Sequence, residues 1–236
     1  MQDSIETTAD ISILVKEAEG FAARVSFDKK HFRHQILIGL YLSVIERSRA
    51  IALLLDNEMI SAALPILRCI VETDVEIQVL NMRPAHIRSM ELDHVKALKN
   101  SLIEARKRNP FMAQALTRID VDNELRNLVK REKKLAGSGG KTIEIKEKFE
   151  IAGMSEFYRT VYKFLCRETH PSYAGIIAQN FALDLDKDDF EITLYTKPDA
   201  GMVSLICHTT CAVLKDMKSI LDGQAIWRNS PSSTTI

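Results

Sequence analysis

The stretch Ile51-Ala52-Leu53-Leu54-Leu55-Asp56-Asn57-Glu58-Met59-Ile60-Ser61-Ala62-Ala63-Leu64-Pro65-Ile66-Leu67 contains two apolar runs separated by Asp56-Asn57, a helix-stop signal. Upstream, Phe32, Ile36, Leu40, Val44, Ile51 and Leu55 recur at helical spacing and predict a helix over 29–56, with Asp28 as its N-cap. Downstream, Ala62, Ala63, Ile66, Leu67, Ile70, Val71 and Val75 predict a second over 59–82. Pro65 falls near the first turns of that helix, where a missing N–H is tolerated. So short a connection makes the two helices antiparallel neighbours.

Ile11, Leu14, Val15, Ala18, Phe21 and Ala22 form a helical stripe within 4–25. Pro84 opens a polar helix that Asn109-Pro110 breaks, and 111–135 reads as a charged helix running into Lys130-Arg131-Glu132-Lys133-Lys134. Gly137-Ser138-Gly139-Gly140 reads as a flexible linker. Residues 84–150 are therefore expected to be a charged helical insertion or peripheral arm with its own mobility and no second core. Ser155 is expected to cap a helix over 155–167, with Phe157, Val161, Phe164 and Leu165 inward. Helix resumes over 173–180, after His170-Pro171-Ser172. Alternation in Phe181–Leu185 and Phe190–Tyr195 predicts a small β-hairpin over 181–195 that must pack on something to persist. A last helix, 199–222, ends at Gly223, and 224–236 reads as a disordered Ser/Thr-rich tail. The fold class is thus mainly all-α: one antiparallel helical-bundle domain over 1–223.

Composition agrees with that class and excludes others. With 46% hydrophobic residues but only 6% aromatic, the chain can bury a core of helices more readily than a β-sandwich. Lys plus Arg equals Asp plus Glu at 32 each, so any nucleic-acid contact must come from a local patch. The N-terminus lacks a signal-peptide pattern and no run is long enough to span a bilayer. A cytoplasmic location without membrane contact is expected, with Cys69, Cys166, Cys207 and Cys211 as reduced core residues.

The polar residues that a surface role explains poorly lie on the central helices. Arg68 and Glu72 are one helical turn apart and hemmed in by apolar neighbours, while Glu46 and Arg49 interrupt the apolar run of the preceding helix. Pairing the helices would gather two arginines and two glutamates inside the bundle or at its mouth, as a structural network or as a binding site. The second region is Tyr158-Arg159, then Tyr162-Lys163-Phe164-Leu165-Cys166-Arg167-Glu168-Thr169-His170-Pro171-Ser172. A histidine fixed by a following proline either bonds a helix-end carbonyl or serves as an acid or base near neutrality. Cys207 and Cys211, with His208 between them, lack a second ligand pair for zinc, so core packing is the simpler reading. No phosphate-cradling or dinucleotide motif is present and no cofactor is expected. The basic run 130–134 is diluted by glutamates and reads as a solvated face.

The stretch Ala62 to Glu72, with Arg68 and Glu72 on its helix, followed far downstream by Tyr162-x-x-Leu165-Cys166-x-x-x-His170-Pro171-Ser172, resembles a bacterial family known only as a domain of unknown function. The likeness covers 31–80 and 155–180 and extends loosely over the final helix. That family is in turn similar to the HEPN superfamily of helical bundles. The resemblance implies a homodimer that acts on RNA or a nucleotide, among them metal-independent endoribonucleases of toxin and phage-defence systems. Their motif places an Arg and a His a short distance apart in sequence. Here Arg167 is nearer to His170 than that motif requires and Arg159 is farther away. The resemblance implies His170 as acid or base, with Arg68, Arg159 or Arg167 stabilising phosphorane charge; Glu72, Glu46, Arg49 and Tyr162 are the candidate binding residues beside them. The alternative is a non-catalytic helical module that binds a nucleotide, a nucleic acid or a protein partner.

Overall fold

A computed structural model describes residues 6–25, 27, 30–107, 109–112, 120–169, 173–184, 189–192 and 199–223. The chain divides into two compact units, residues 1–78 with 152–236 and residues 79–151.

The first unit is built on α1 (Thr8–Arg24), α2 (Phe32–Asp56), α3 (Ile60–Met82, within this unit to Gln78) and α10 (Ala200–Gly223). α1 lies against both α2 and α10, and α10 also touches α2. Ile11 and Val15 of α1, Leu37, Val44 and Ile51 of α2, Leu67, Ile70 and Val75 of α3, and Ile206, Leu214 and Met217 of α10 are all buried. Burial of each such side chain contributes about 2 kcal/mol. α2 starts at Phe32 with His31 at its N-cap, later than the sequence suggests.

The turn between α2 and α3 takes three residues. Met59 N–H bonds Leu54 O at 2.8 Å and Glu58 N–H bonds Leu55 O at 3.0 Å, the double closure of a Schellman motif. Glu58 therefore sits at φ 57°, a left-handed conformation in which a Cβ is unfavourable. The chain reverses here, and Arg47 Nη1 of α2 donates to Thr73 Oγ1 of α3 at 3.1 Å. Pro65 lies inside α3 rather than in its first turn, and it sits at the surface, where water can reach the carbonyl left without a helix bond.

One helix of this unit is not uniform. The α-helical turns α7 (Ser155–Phe157) and α8 (Lys163–Thr169) flank a π-helical stretch, Tyr158–Tyr162. Ser155 is the first residue of α7 rather than its cap, which is Met154. Of the residues expected to point inward, only Leu165 is buried; Tyr162 is the other buried side chain here. α9 (Tyr173–Asn180) follows, then β1 (Phe181–Asp184) and β2 (Asp189–Ile192), which pair antiparallel with Phe181 opposite Ile192. Residues 185–188 and 193–195, and the expected tail 224–236, lie outside the described residues.

The second unit overturns the reading of 84–150 as an arm without a core. α4 (Ile87–Arg106) and α5 (Val121–Gly137) bury Leu92, Val95, Leu128 and Leu135 together, with Leu102 beside them. Arg131–Glu91 at 2.6 Å and Lys99–Glu132 at 2.5 Å tie the two helices along their rims. α5 starts at Val121, where Asp120 accepts the Asn123 N–H at 3.1 Å; Pro110–Met112 is a 3-10 turn, and residues 113–119 of the expected helix over 111–135 lie outside the described residues. α6 (Ile145–Ile151) buries Phe149 completely.

Nor is Gly137–Gly140 a flexible linker. Gly137 ends α5, Gly139 takes φ 91°, and Gly139 N–H to Ala136 O at 3.1 Å with Gly140 N–H to Leu135 O at 2.9 Å closes a second Schellman motif. Gly140 is buried, and a Cβ there would stand 3.0 Å from the carbonyl oxygens of Arg88 and Leu135. The glycines are needed for a tight stop, which a composition-based reading cannot tell from slack.

Candidate functional site

Arg68 and Glu72 share a face of α3 because they are one turn apart. Arg68 Nε donates to Glu72 Oε1 at 2.9 Å. The same Glu72 oxygen accepts the Tyr162 hydroxyl at 2.7 Å, from a residue 90 positions away in sequence. Arg68 Nη1 donates to Thr169 Oγ1 at 3.1 Å, and that hydroxyl donates to Cys166 O at 3.1 Å. The guanidinium also lies 5.8 Å from the Tyr162 ring centroid, within cation–π range. The two sequence motifs are thus one physical cluster, with α3 supplying the ion pair and the helix of residues 155–169 closing it at both ends.

The π turn helps to bring this about. It holds an extra residue, so the chain beyond it comes round by roughly 100° relative to an uninterrupted α-helix. Tyr162 ends that turn, buried, with its hydroxyl on Glu72, while its ring stacks on Tyr158 at 5.5 Å. Lys163 Nζ sits 5.1 Å from the Tyr158 centroid.

Burial pushes the Tyr162 phenol up, and the hydrogen bond to Glu72 pushes it further, so the group remains a donor near neutrality. Burial works against the Arg68 charge, but Tyr162, Cys166 and Glu72 outweigh it and hold the guanidinium above its usual value. The Arg68 and Glu72 side chains keep 26% and 34% of their exposure. The cluster is therefore desolvated enough to fix its geometry, yet open enough for a ligand atom to reach it.

The other candidates divide around this cluster. Arg159 pairs with Glu156. Arg167 Nε bonds Glu168 Oε1 at 3.1 Å, and its guanidinium lies 5.3 Å from the Phe164 ring centroid. Both arginines are exposed and engaged on their own helix. His170, Pro171 and Ser172 lie outside the described residues.

The expected gathering of Glu46 and Arg49 with Arg68 and Glu72 does not occur. Both residues are exposed on α2, and Arg49 reaches Glu19 of α1 at 3.9 Å instead. Arg47, which the sequence reading passed over, is the arginine of α2 that faces α3: it bonds Thr73, whose hydroxyl donates to Cys69 O at 2.7 Å. Each step along a helix turns a side chain by about 100°, so a shift of two positions sends it to another face. Thr169 was missed as well; its only sequence signal is its place one residue before His170.

Two more features bear on chemistry. Asp74 is 2% exposed, and burial, helped by Asp216, pushes its carboxyl up to about 7 against a bond from Gln78. Cys207 and Cys211 are fully buried on α10, where burial raises both thiols, Cys211 to about 12, so they are neutral core sulfhydryls.

The chain belongs to a family of unknown function, DUF5677, which it matches over residues 34–190. That span takes in α2 from His34, all of α3 and every residue of the Arg68–Glu72–Tyr162–Thr169 cluster. No curated protein and no solved structure matches the chain. Among the described residues, no helix is long and apolar enough to cross a membrane.

Proposed function

We propose that the chain is a HEPN-like, metal-independent endoribonuclease, a toxin-type effector of stress or phage defence, with Arg68 and His170 at its centre. The observation that supports this is the Arg68 Nη1 bond to Thr169, the residue immediately before His170 in the chain. The HEPN-like spacing of an arginine and a histidine fails along the sequence, whereas Arg68 reaches Thr169 from another helix. Arg68 is preferred to Arg159 and Arg167 for its bond to Thr169, since all three pair with a glutamate.

In this reading His170 accepts the ribose 2′-hydroxyl proton while that oxygen attacks the adjacent phosphorus. The bond from phosphorus to the 5′ oxygen breaks, and the proton is returned to the departing oxygen. The products are a 2′,3′-cyclic phosphate and a 5′-hydroxyl. Arg68 offsets the extra negative charge of the phosphorane, and Glu72 and Tyr162 hold its guanidinium in place. The resemblance also implies a homodimer.

The assay is cleavage of single-stranded and transfer RNA by the full chain in excess EDTA, compared with His170→Ala and Arg68→Ala. Cleavage that falls by roughly a hundredfold or more in both variants supports the reading. A folded wild type that cuts none of these RNAs overturns it. One observation favours a second reading, a non-catalytic binding module: Glu72 already balances the Arg68 charge, as in a purely structural network. That reading predicts that Arg68→Ala lowers stability and has no cleavage to abolish.

A further inference from the structure

The outer face of α2 carries a stripe of exposed residues. Phe32, Gln35, Gly39, Leu42, Glu46, Arg49 and Leu53 are all exposed, and their spacing alternates three and four residues, the seam of a helix that pairs with another helix. Leu42 keeps 48% of its exposure and Leu53 58%. The helix is apolar on its buried side too, so this outer stripe is additional to what the fold of the unit needs. Gly39 lies mid-helix, where glycine costs about 1 kcal/mol relative to alanine. A Cβ at that position would meet no atom of the described residues within 4 Å. Internal packing therefore does not call for a glycine there, whereas a helix approaching from outside does.

The pattern also identifies the partner. Leu42, Glu46, Arg49 and Leu53 read the same from either end if the two charges exchange signs. Laid antiparallel on a second copy about a twofold axis between Glu46 and Arg49, each Glu46 meets the other Arg49 and each Leu42 meets the other Leu53. A parallel pairing would set like charge on like charge, which is unfavourable. Leu53 borders a groove of about 250 Å³ between α1 and α2, with Val15 and Ala52 among its walls, open to an apolar side chain that meets Leu53. Gly39 then falls opposite the other copy's Asp56, where that chain turns out of α2, and the missing side chain leaves room for the turn. The contact of Arg49 with Glu19, at 3.9 Å between exposed side chains, is too weak to compete.

We infer that the exposed face of α2 is the seam of an antiparallel homodimer centred on Glu46 and Arg49. The inference gives a face to the dimer of the nuclease reading but rests on α2 and the groove beside it, and its test involves no RNA. Sedimentation equilibrium of the full chain is the measurement, with circular dichroism as the control for folding. Wild type is expected to be dimeric. Glu46→Arg and Arg49→Glu, each alone, place two like-charge contacts across the axis and weaken association by roughly tenfold or more. Mixing the two variants restores opposite charges at both contacts and yields heterodimers, and the double variant E46R/R49E dimerises again. A wild type that stays monomeric at high micromolar concentration overturns the inference. So does a dimer that both single variants leave intact, or a mixture of the two that fails to associate.

Discussion

Tyr162 donates its hydroxyl to Glu72 Oε1 at 2.7 Å, joining two segments that lie 90 residues apart in sequence and carry the chain's two motifs. The bond meets the same oxygen that receives Arg68 Nε, so removing the hydroxyl loosens the ion pair as well. Tyr162→Phe is expected to lower stability by about 1–2 kcal/mol in urea unfolding. A double cycle with Glu72→Gln should return a coupling well above experimental error, and independent effects of the two changes would contradict the shared bond.

The buried carboxyl of Asp74 makes stability depend on pH in the sense opposite to that of a salt-bridged acid. Its folded value of about 7 lies above the ordinary 3.8. Below about pH 4 the group is neutral in both states and costs nothing. As the pH rises the unfolded chain ionises first, so stability falls from about pH 4 and levels off above about pH 7. The ceiling on this loss is on the order of 4 kcal/mol. Asp74→Asn should therefore be more stable than wild type at pH 8, with the gain shrinking towards pH 4. Equal pH dependence of the two proteins in urea titrations would contradict a buried, neutral Asp74.

Glu58 occupies the left-handed position of its turn, which glycine usually fills, and its side chain is exposed. Replacement by glycine relieves the Cβ conflict and is expected to raise stability by about 1 kcal/mol. Thermal and urea unfolding of Glu58→Gly check this, and an unchanged or lower midpoint would mean that the turn carries no such strain.

The helices were legible because apolar residues recur every three or four positions in α1, α2, α3 and α10, and burial follows that period. Three features were not legible, for separate physical reasons. The π turn at Tyr158–Tyr162 is one extra residue in a backbone ring, and side-chain periodicity does not register it until the helix is built. The core of α4 and α5 rests on four buried side chains in two strongly charged helices, so composition hid it. The choice between Arg47 and Arg49 turned on helix rotation, which hydrophobic spacing fixes only to within a residue or two. At the site, Arg68, Glu72 and Tyr162 were all named from the sequence. Their direct contact was not, since it depends on how α3 lies against a helix about ninety residues further along the chain.

The central claim is that Arg68 and His170 serve one reacting centre, although they belong to separate motifs. Single-turnover RNA cleavage in EDTA by wild type, Arg68→Ala, His170→Ala and the double variant tests it most directly. Groups that act as a unit are non-additive, so the double variant should be no slower than the slower single variant, with wild-type product ending in a 2′,3′-cyclic phosphate. Losses that multiply in the double variant, or full activity in Arg68→Ala, would contradict the claim.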